Sequence, residues 1–121
     1  MNIKKIAITA ALMLALDYVY LSSVGGQLFL PMISQIQSSS FKLNHTGAII
    51  CYLLMLLGLY HFILKDNRDP KDAFILGFII YGIFDATNLA IFKKWKPELA
   101  LIDTLWGGVL FYTLTFIYNK L

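Results

Sequence analysis

The chain has 121 residues, of which 59% are hydrophobic and only 14% are charged, and its mean hydropathy is +0.70. This composition lies outside the usual range of soluble globular domains and indicates an integral membrane protein. The net charge of +3 does not indicate nucleic-acid binding, because the basic residues are scattered at the ends of apolar segments, where they contact lipid headgroups. The single cysteine, Cys51, excludes an internal disulfide and a cysteine-rich metal site.

Four apolar segments, separated by clusters of charged residues, cover residues 6–24, 46–64, 73–92 and 99–118. Each is close to the length of roughly 20 helical residues that crosses a hydrocarbon core about 30 Å thick. The sequence therefore predicts an all-α protein: one integral membrane domain, residues 1–121, built as an antiparallel bundle of four transmembrane helices. The first segment also has features of a secretory signal, although Asp17 would interrupt the apolar region of such a signal.

The longest connection, residues 25–45, joins the first two segments. It carries five apolar residues at a helical spacing: Leu28, Phe29, Met32, Ile33 and Ile36. This spacing favours an interfacial amphipathic helix that lies on the membrane or caps the bundle. Pro31 and the serine run at 38–40 favour the alternative, an irregular loop.

Four spans place both termini on the same face of the membrane. Six basic residues belong to that face: Lys4, Lys5, Lys65, Arg68, Lys71 and Lys120. Four belong to the opposite face: Lys42, Lys93, Lys94 and Lys96. The excess of positive charge predicts that the termini are cytoplasmic.

Three aspartates, Asp17, Asp85 and Asp103, lie inside the apolar segments. A carboxylate in hydrocarbon costs several kcal/mol unless it is neutralised, paired or hydrated, so such residues usually face one another or a cavity. Asp17 and Asp85 each lie seven residues before the end of their segment, which is about 10 Å below one membrane face. Asp103 lies about 6 Å below the same face. We therefore expect the three carboxyl groups to share one layer.

Helical spacing adds further polar and aromatic residues to this layer. The candidate ligand-binding residues are Asp17, Tyr20, Tyr81, Asp85, Asn88, Asp103 and Trp106. Oxygen ligands of this kind suit a hard divalent ion. However, no histidine joins the layer and no helix carries the Glu-x-x-His pattern of di-iron bundles, so we expect neither a metal nor a cofactor.

Three interpretations of the layer remain open. The carboxyl groups hydrogen-bond to neighbouring helices and lock the bundle, or they bind a lipid headgroup, a small polar ligand, a proton or a cation. The third interpretation is a membrane-embedded enzyme or a proton- or cation-coupled carrier that acts on lipid-like substrates. The sequence contains no nucleophile triad and no phosphate loop. We therefore assign no catalytic residues and favour a non-enzymatic component that locks the bundle or binds a ligand.

Several strings in the chain resemble one family of predicted integral membrane proteins, domain of unknown function 2177 (DUF2177). They are the group Asp17, Tyr20 and Leu21, the string YGIFDATNLA at 81–90, Trp95, and the string DTLWG at 103–107. The resemblance extends over nearly the whole chain and implies a small four-helix membrane protein without an established activity. The positions that match the polar signature of the family are Asp17, Asp85, Asn88, Trp95, Asp103 and Trp106.

The chain departs from the commoner bacterial pattern of this family in having Tyr20 in place of a Trp and Ile83–Phe84 in place of a Thr–Tyr pair. The family's relatives in large DNA viruses imply a further alternative, a minor membrane component of a virion with a capsid protein as its partner. We expect membrane lipids as partners in every case. The glycine- and aromatic-bearing helix faces also permit a homo-oligomer.

Overall fold

The computed structural model describes residues 1–121, and all of its regular elements are helical. The α-helices are α1 (Ile3–Tyr20), α2 (Gly26–Gln37), α3 (His45–Leu59), α4 (Pro70–Ile91) and α5 (Pro97–Lys120). The chain also contains two π-helical segments. Leu21–Gly25 connects α1 to α2, and Tyr60–Leu64 extends α3. Four helical stretches, Ile3–Gln37, His45–Leu64, Pro70–Ile91 and Pro97–Lys120, are long and apolar enough to cross a membrane. The predicted four-span helical fold is confirmed.

Local sequence sets where the helices begin. The side chains of Asn2, Asn44 and Asp69 each accept a hydrogen bond from a backbone N–H in the first turn of the helix that follows. Pro70 and Pro97 are the first residues of α4 and α5, where a missing N–H costs nothing. The charged connections of the sequence therefore coincide with the helix ends.

The interior of the bundle is a single apolar cluster to which α1, α3, α4 and α5 all contribute. α4 and α5 make the closest approach, at two facing glycines. A Cβ added to Gly77 would lie 2.1 Å from the carbonyl oxygen of Gly107, and one added to Gly107 would lie 2.4 Å from Cγ of Tyr81. Small residues at a helix contact allow this close approach of two backbones inside a membrane.

The outer surface of the bundle is apolar. Large side chains such as Leu53, Leu57, Phe62, Ile83 and Ile91 are at least 60% exposed. A continuous apolar exterior around a bundle with a buried polar layer is the arrangement that a lipid environment stabilises.

α2 is the amphipathic helix that the sequence predicted, but it is continuous with α1 instead of separate from it. It caps the bundle, because Phe29 and Met32 pack against Trp95 and Leu99 at the connection between α4 and α5. The alternative prediction for residues 25–45, an irregular loop, is correct only for the short stretch between Gln37 and the start of α3.

The π-helical segment Leu21–Gly25 aligns the buried faces of α1 and α2. At about 100° per residue, an uninterrupted α-helix would direct Phe29 and Met32 roughly 110° away from the face that carries Met13 and Asp17. A π turn accommodates about one extra residue and removes about 100° of that offset. The segment therefore lets one long helix supply both the aspartate layer and the cap above it.

Gly26 is predicted to be required for this alignment. A Cβ there would lie 2.3 Å from the carbonyl oxygen of Leu21, which accepts the N–H of Gly26. Gly26→Ala should collapse the π turn, detach Phe29 and Met32 from Trp95, and lower the free energy of unfolding by about 2 kcal/mol. Unfolding in detergent micelles measures this loss. Gly58→Ala is the matched control, because a Cβ at Gly58 meets no atom within 4 Å; equal stabilities of the two variants would contradict the prediction.

Candidate functional site

Two of the three aspartates are joined by reciprocal hydrogen bonds between α1 and α5. The indole Nε1 of Trp106 donates to Oδ1 of Asp17 at 3.0 Å, and the hydroxyl of Tyr20 donates to Oδ1 of Asp103 at 2.9 Å. The two aromatic rings stack, with centroids 4.8 Å apart and planes inclined by 4°. We call these four residues the clasp.

The clasp follows from a pattern that α1 and α5 share. Each helix carries an aspartate followed three residues later by an aromatic hydrogen-bond donor, Asp17 and Tyr20 in α1 and Asp103 and Trp106 in α5. Residues three apart lie on the same face of a helix. Because α1 and α5 are antiparallel, the aspartate of each helix lies opposite the aromatic residue of the other. Stacked aromatic pairs add about 0.5–1.5 kcal/mol beyond the area that they bury.

Tyr52 extends the clasp to α3, since its hydroxyl donates to Oδ2 of Asp17. Both oxygens of Asp17 are therefore hydrogen-bonded. The sequence interpretation missed Tyr52, although depth offered a signal. Tyr52 lies six residues after the start of the second apolar segment, and Asp17 lies seven before the end of the first, so antiparallel helices place them at similar depths of about 9–10 Å.

Asp85 on α4 has a different environment. Its side chain is 1% exposed, and neither of its carboxyl oxygens has a hydrogen-bond partner. It lies beside Asp103 and the indole of Trp95, whose buried Nε1 also lacks a partner. A buried polar group without a partner costs about 1–3 kcal/mol. Asp85 is therefore the member of the layer with unused hydrogen-bonding capacity.

The structure brings together most of the residues that the sequence singled out. Besides the clasp and Asp85, Tyr81 lies near Asp17 and Asp103, but it packs its ring on Gly107 and donates no hydrogen bond to either carboxyl group. Asn88 is half-buried near the end of α4, and no hydrogen bond joins its side chain to an aspartate. No three His, Cys, Asp or Glu side chains gather closely enough to hold a metal ion.

An apolar groove of about 520 Å³ runs along the clasp between α1 and α5. It is lined by the apolar side chains of Leu16, Val19 and Leu105 and by the stacked residues Tyr20 and Trp106. The same two residues are hydrogen-bonded to the carboxyl groups of Asp103 and Asp17. Two members of the layer, Tyr20 and Trp106, therefore also line an apolar groove on the surface of the bundle.

Removing the hydrogen-bond donors of the clasp should destabilise the bundle. We predict that Tyr20→Phe and Trp106→Phe each lower the free energy of unfolding by about 1 kcal/mol, because each leaves one oxygen of a buried carboxyl group without its donor. The measurement is reversible unfolding in micelles or bicelles. Tyr112→Phe is the control, since Tyr112 lies on α5, is 40% exposed and should change stability by less than about 0.5 kcal/mol. Clasp variants as stable as this control would contradict the prediction.

Comparison with known families agrees with the resemblance that the sequence indicated. A family model described as "Predicted membrane protein (DUF2177)" matches residues 2–118, which include the clasp, Asp85, Trp95 and nearly the whole of every helix. Among curated proteins and among solved structures, none matches this chain. The match covers far more than half of the sequence, and the chain therefore belongs to the DUF2177 family of predicted membrane proteins.

Proposed function

We propose that this protein is a membrane-embedded binding protein in which Asp85 binds the polar group of a small ligand, while the clasp holds the helices around that site. The observation that carries the proposal is the environment of Asp85. Its side chain is almost completely buried, and both of its oxygens lack a partner beside an indole N–H that also lacks one.

The contrast with Asp17 separates the two roles of the layer. Asp17 accepts hydrogen bonds at both oxygens, from Trp106 and Tyr52, and these bonds connect α1 to α5 and to α3. A carboxyl group satisfied in this way stabilises the bundle. Neither oxygen of Asp85 has a donor in hydrogen-bonding geometry, although Asp103 and the indole N–H of Trp95 lie close to it. Its burial is unfavourable until a donor reaches it. A ligand that supplies the donor removes this penalty, and the gain contributes to its affinity.

Binding is a better account of the layer than catalysis, because the hydrogen-bond donors near Asp17 and Asp103 are already engaged. Tyr20, Tyr52 and Trp106 each donate to a carboxyl oxygen within the bundle, and the groups found close to Asp85 are Asp103 and the indole N–H of Trp95. An indole N–H only donates hydrogen bonds, so it can orient a ligand but cannot accept a proton from it.

A pair of leucine substitutions distinguishes a binding role from a structural one. We predict that Asp85→Leu raises the free energy of unfolding of the ligand-free protein by about 1–3 kcal/mol, because it removes a buried polar group without a partner. Asp17→Leu should lower it by a similar amount, because it leaves the donors of Trp106 and Tyr52 unpaired.

The measurement combines unfolding in detergent with thermal stabilisation by single-chain amphiphiles bearing amine, hydroxyl or phosphate headgroups. At least one of them should stabilise the natural protein and not Asp85→Leu. Asp66→Leu, at an exposed position in the connection between α3 and α4, is the control for both readouts. If Asp85→Leu loses as much stability as Asp17→Leu, the role of Asp85 is structural and the proposal is wrong.

We also propose that both termini are cytoplasmic. The amino- and carboxyl-terminal ends lie together, since the ammonium group of Lys5 is 4.2 Å from the centroid of the Tyr118 ring. The face of the bundle that carries them has the larger number of basic residues, and the positive-inside rule places such a face in the cytoplasm.

Labelling of single cysteines tests this orientation, and Cys51→Ala provides the background because Cys51 is the only cysteine. We predict that a membrane-impermeant maleimide labels Lys94→Cys in intact cells and labels Asp66→Cys only after permeabilisation. The two positions lie in connections at opposite ends of the bundle. The reverse pattern would show that the termini face outward.

A further inference from the structure

We infer that the group bound at Asp85 is a primary ammonium carried by a lipid, and that the acyl chain of this lipid lies in the groove between α1 and α5. This inference rests on the proposed binding role of Asp85 and names the class of its ligand. Three observations support it: the set of acceptor oxygens that remains free in the layer, the enclosure of Asp85, and the position of the groove.

The free acceptors match the donors of a primary ammonium group. Asp85 offers two oxygens without a donor, and the neighbouring Asp103, which lies within hydrogen-bonding reach of Asp85, accepts from Tyr20 at Oδ1. A primary ammonium has three N–H donors, no acceptor and a positive charge. Charge-assisted hydrogen bonds from it would satisfy both oxygens of Asp85 and one of Asp103, and would separate the two carboxyl groups. A hydroxyl group supplies one donor, and a phosphate group supplies additional negative charge.

The enclosure of Asp85 favours a small headgroup. Its side chain is 1% exposed and lies beside the indole of Trp95, which is itself packed under α2 by Phe29. A quaternary ammonium has no N–H to donate, and it is larger than a primary one. Proteins bind quaternary groups on the faces of aromatic cages, whereas Asp85 offers carboxyl oxygens that accept hydrogen bonds. The site therefore suits an ethanolamine-type amine and not a choline-type one.

The groove gives the ligand its apolar part. Its volume of about 520 Å³ lies within the range of small-molecule sites, about 300–1,000 Å³. Leu16, Val19 and Leu105 line it with apolar side chains, and it lies within the apolar segments that face lipid chains. Tyr20 lines the groove and also donates to Asp103, so this residue belongs to both the groove and the carboxyl layer. A headgroup that enters the layer from the groove would pass beside it.

A competition between headgroups tests the inference. The purified protein is titrated in mixed micelles with phosphatidylethanolamine, phosphatidylcholine or phosphatidylglycerol of identical chains, and with free ethanolamine, and binding is measured by native mass spectrometry. The protein should bind phosphatidylethanolamine at least tenfold more tightly than phosphatidylcholine. Asp85→Asn should abolish this preference, because an amide has no negative charge and only one acceptor oxygen. Asp66→Asn, in an exposed connection, should retain it.

A second variant tests the groove separately. Leu105→Trp adds bulk to the wall of the groove and should weaken the binding of all three lipids at least threefold without changing the preference for ethanolamine. Free ethanolamine that binds as tightly as the lipid would contradict the role of the groove. A preference for another headgroup that depends on Asp85 would overturn the ammonium inference and leave the proposed function intact. Binding that is indifferent to Asp85 for every probe would overturn both.

Discussion

The structure depends on one constraint, the need of a buried carboxyl group for hydrogen-bond donors where no bulk water is present. Lipid chains are as apolar as leucine, so burial of apolar side chains provides little drive for helices to associate inside a membrane. Close packing and specific polar contacts must supply it. Asp17 meets this need by accepting from Trp106 and Tyr52, which fixes the positions of three helices relative to one another.

Because α1 and α5 are antiparallel, the clasp needs only one short sequence pattern, repeated on the two helices. One short pattern, an aspartate followed by an aromatic donor one turn later, serves twice because the two helices run in opposite directions. The glycine contact between α4 and α5 then brings the third aspartate close to the clasp. Neither oxygen of Asp85 has a donor in hydrogen-bonding geometry, whereas both oxygens of Asp17 accept one. This difference is the basis of the proposal that Asp85 binds a ligand while Asp17 stabilises the fold.

Much of this arrangement was predictable from the sequence, because hydropathy and helix length fix both the spans and the depth of each residue in them. The common layer of Asp17, Asp85 and Asp103 follows from that calculation. Periodicity also assigns Asn88 to the face of Asp85, yet a shared face does not fix the distance to a neighbouring helix, and Asn88 forms no hydrogen bond with the layer. A tyrosine in an apolar segment usually packs against neighbouring side chains, so the hydrogen bond from Tyr52 to Asp17 was not predicted.

The continuity of α1 and α2 was not predictable in the same way. Helical periodicity assumes a constant rotation per residue, and the π turn at Leu21–Gly25 breaks that regularity. The first apolar segment ends at residue 24, whereas the helix continues, and Gly26 permits the tight contact with the carbonyl of Leu21. Local composition thus predicted the end of a helix at a place where the backbone changes from α-helical to π-helical geometry and continues.

The most direct test of the account is the distance between the indole nitrogen of Trp106 and the carboxyl carbon of Asp17 in lipid bilayers. Magic-angle-spinning NMR on selectively labelled protein measures it through the dipolar coupling of the two nuclei. A nitrogen 3.0 Å from Oδ1 lies within about 4 Å of that carbon, so the account predicts a measurable coupling. The absence of a measurable coupling in the folded protein would show that the aspartates do not converge and would contradict the account.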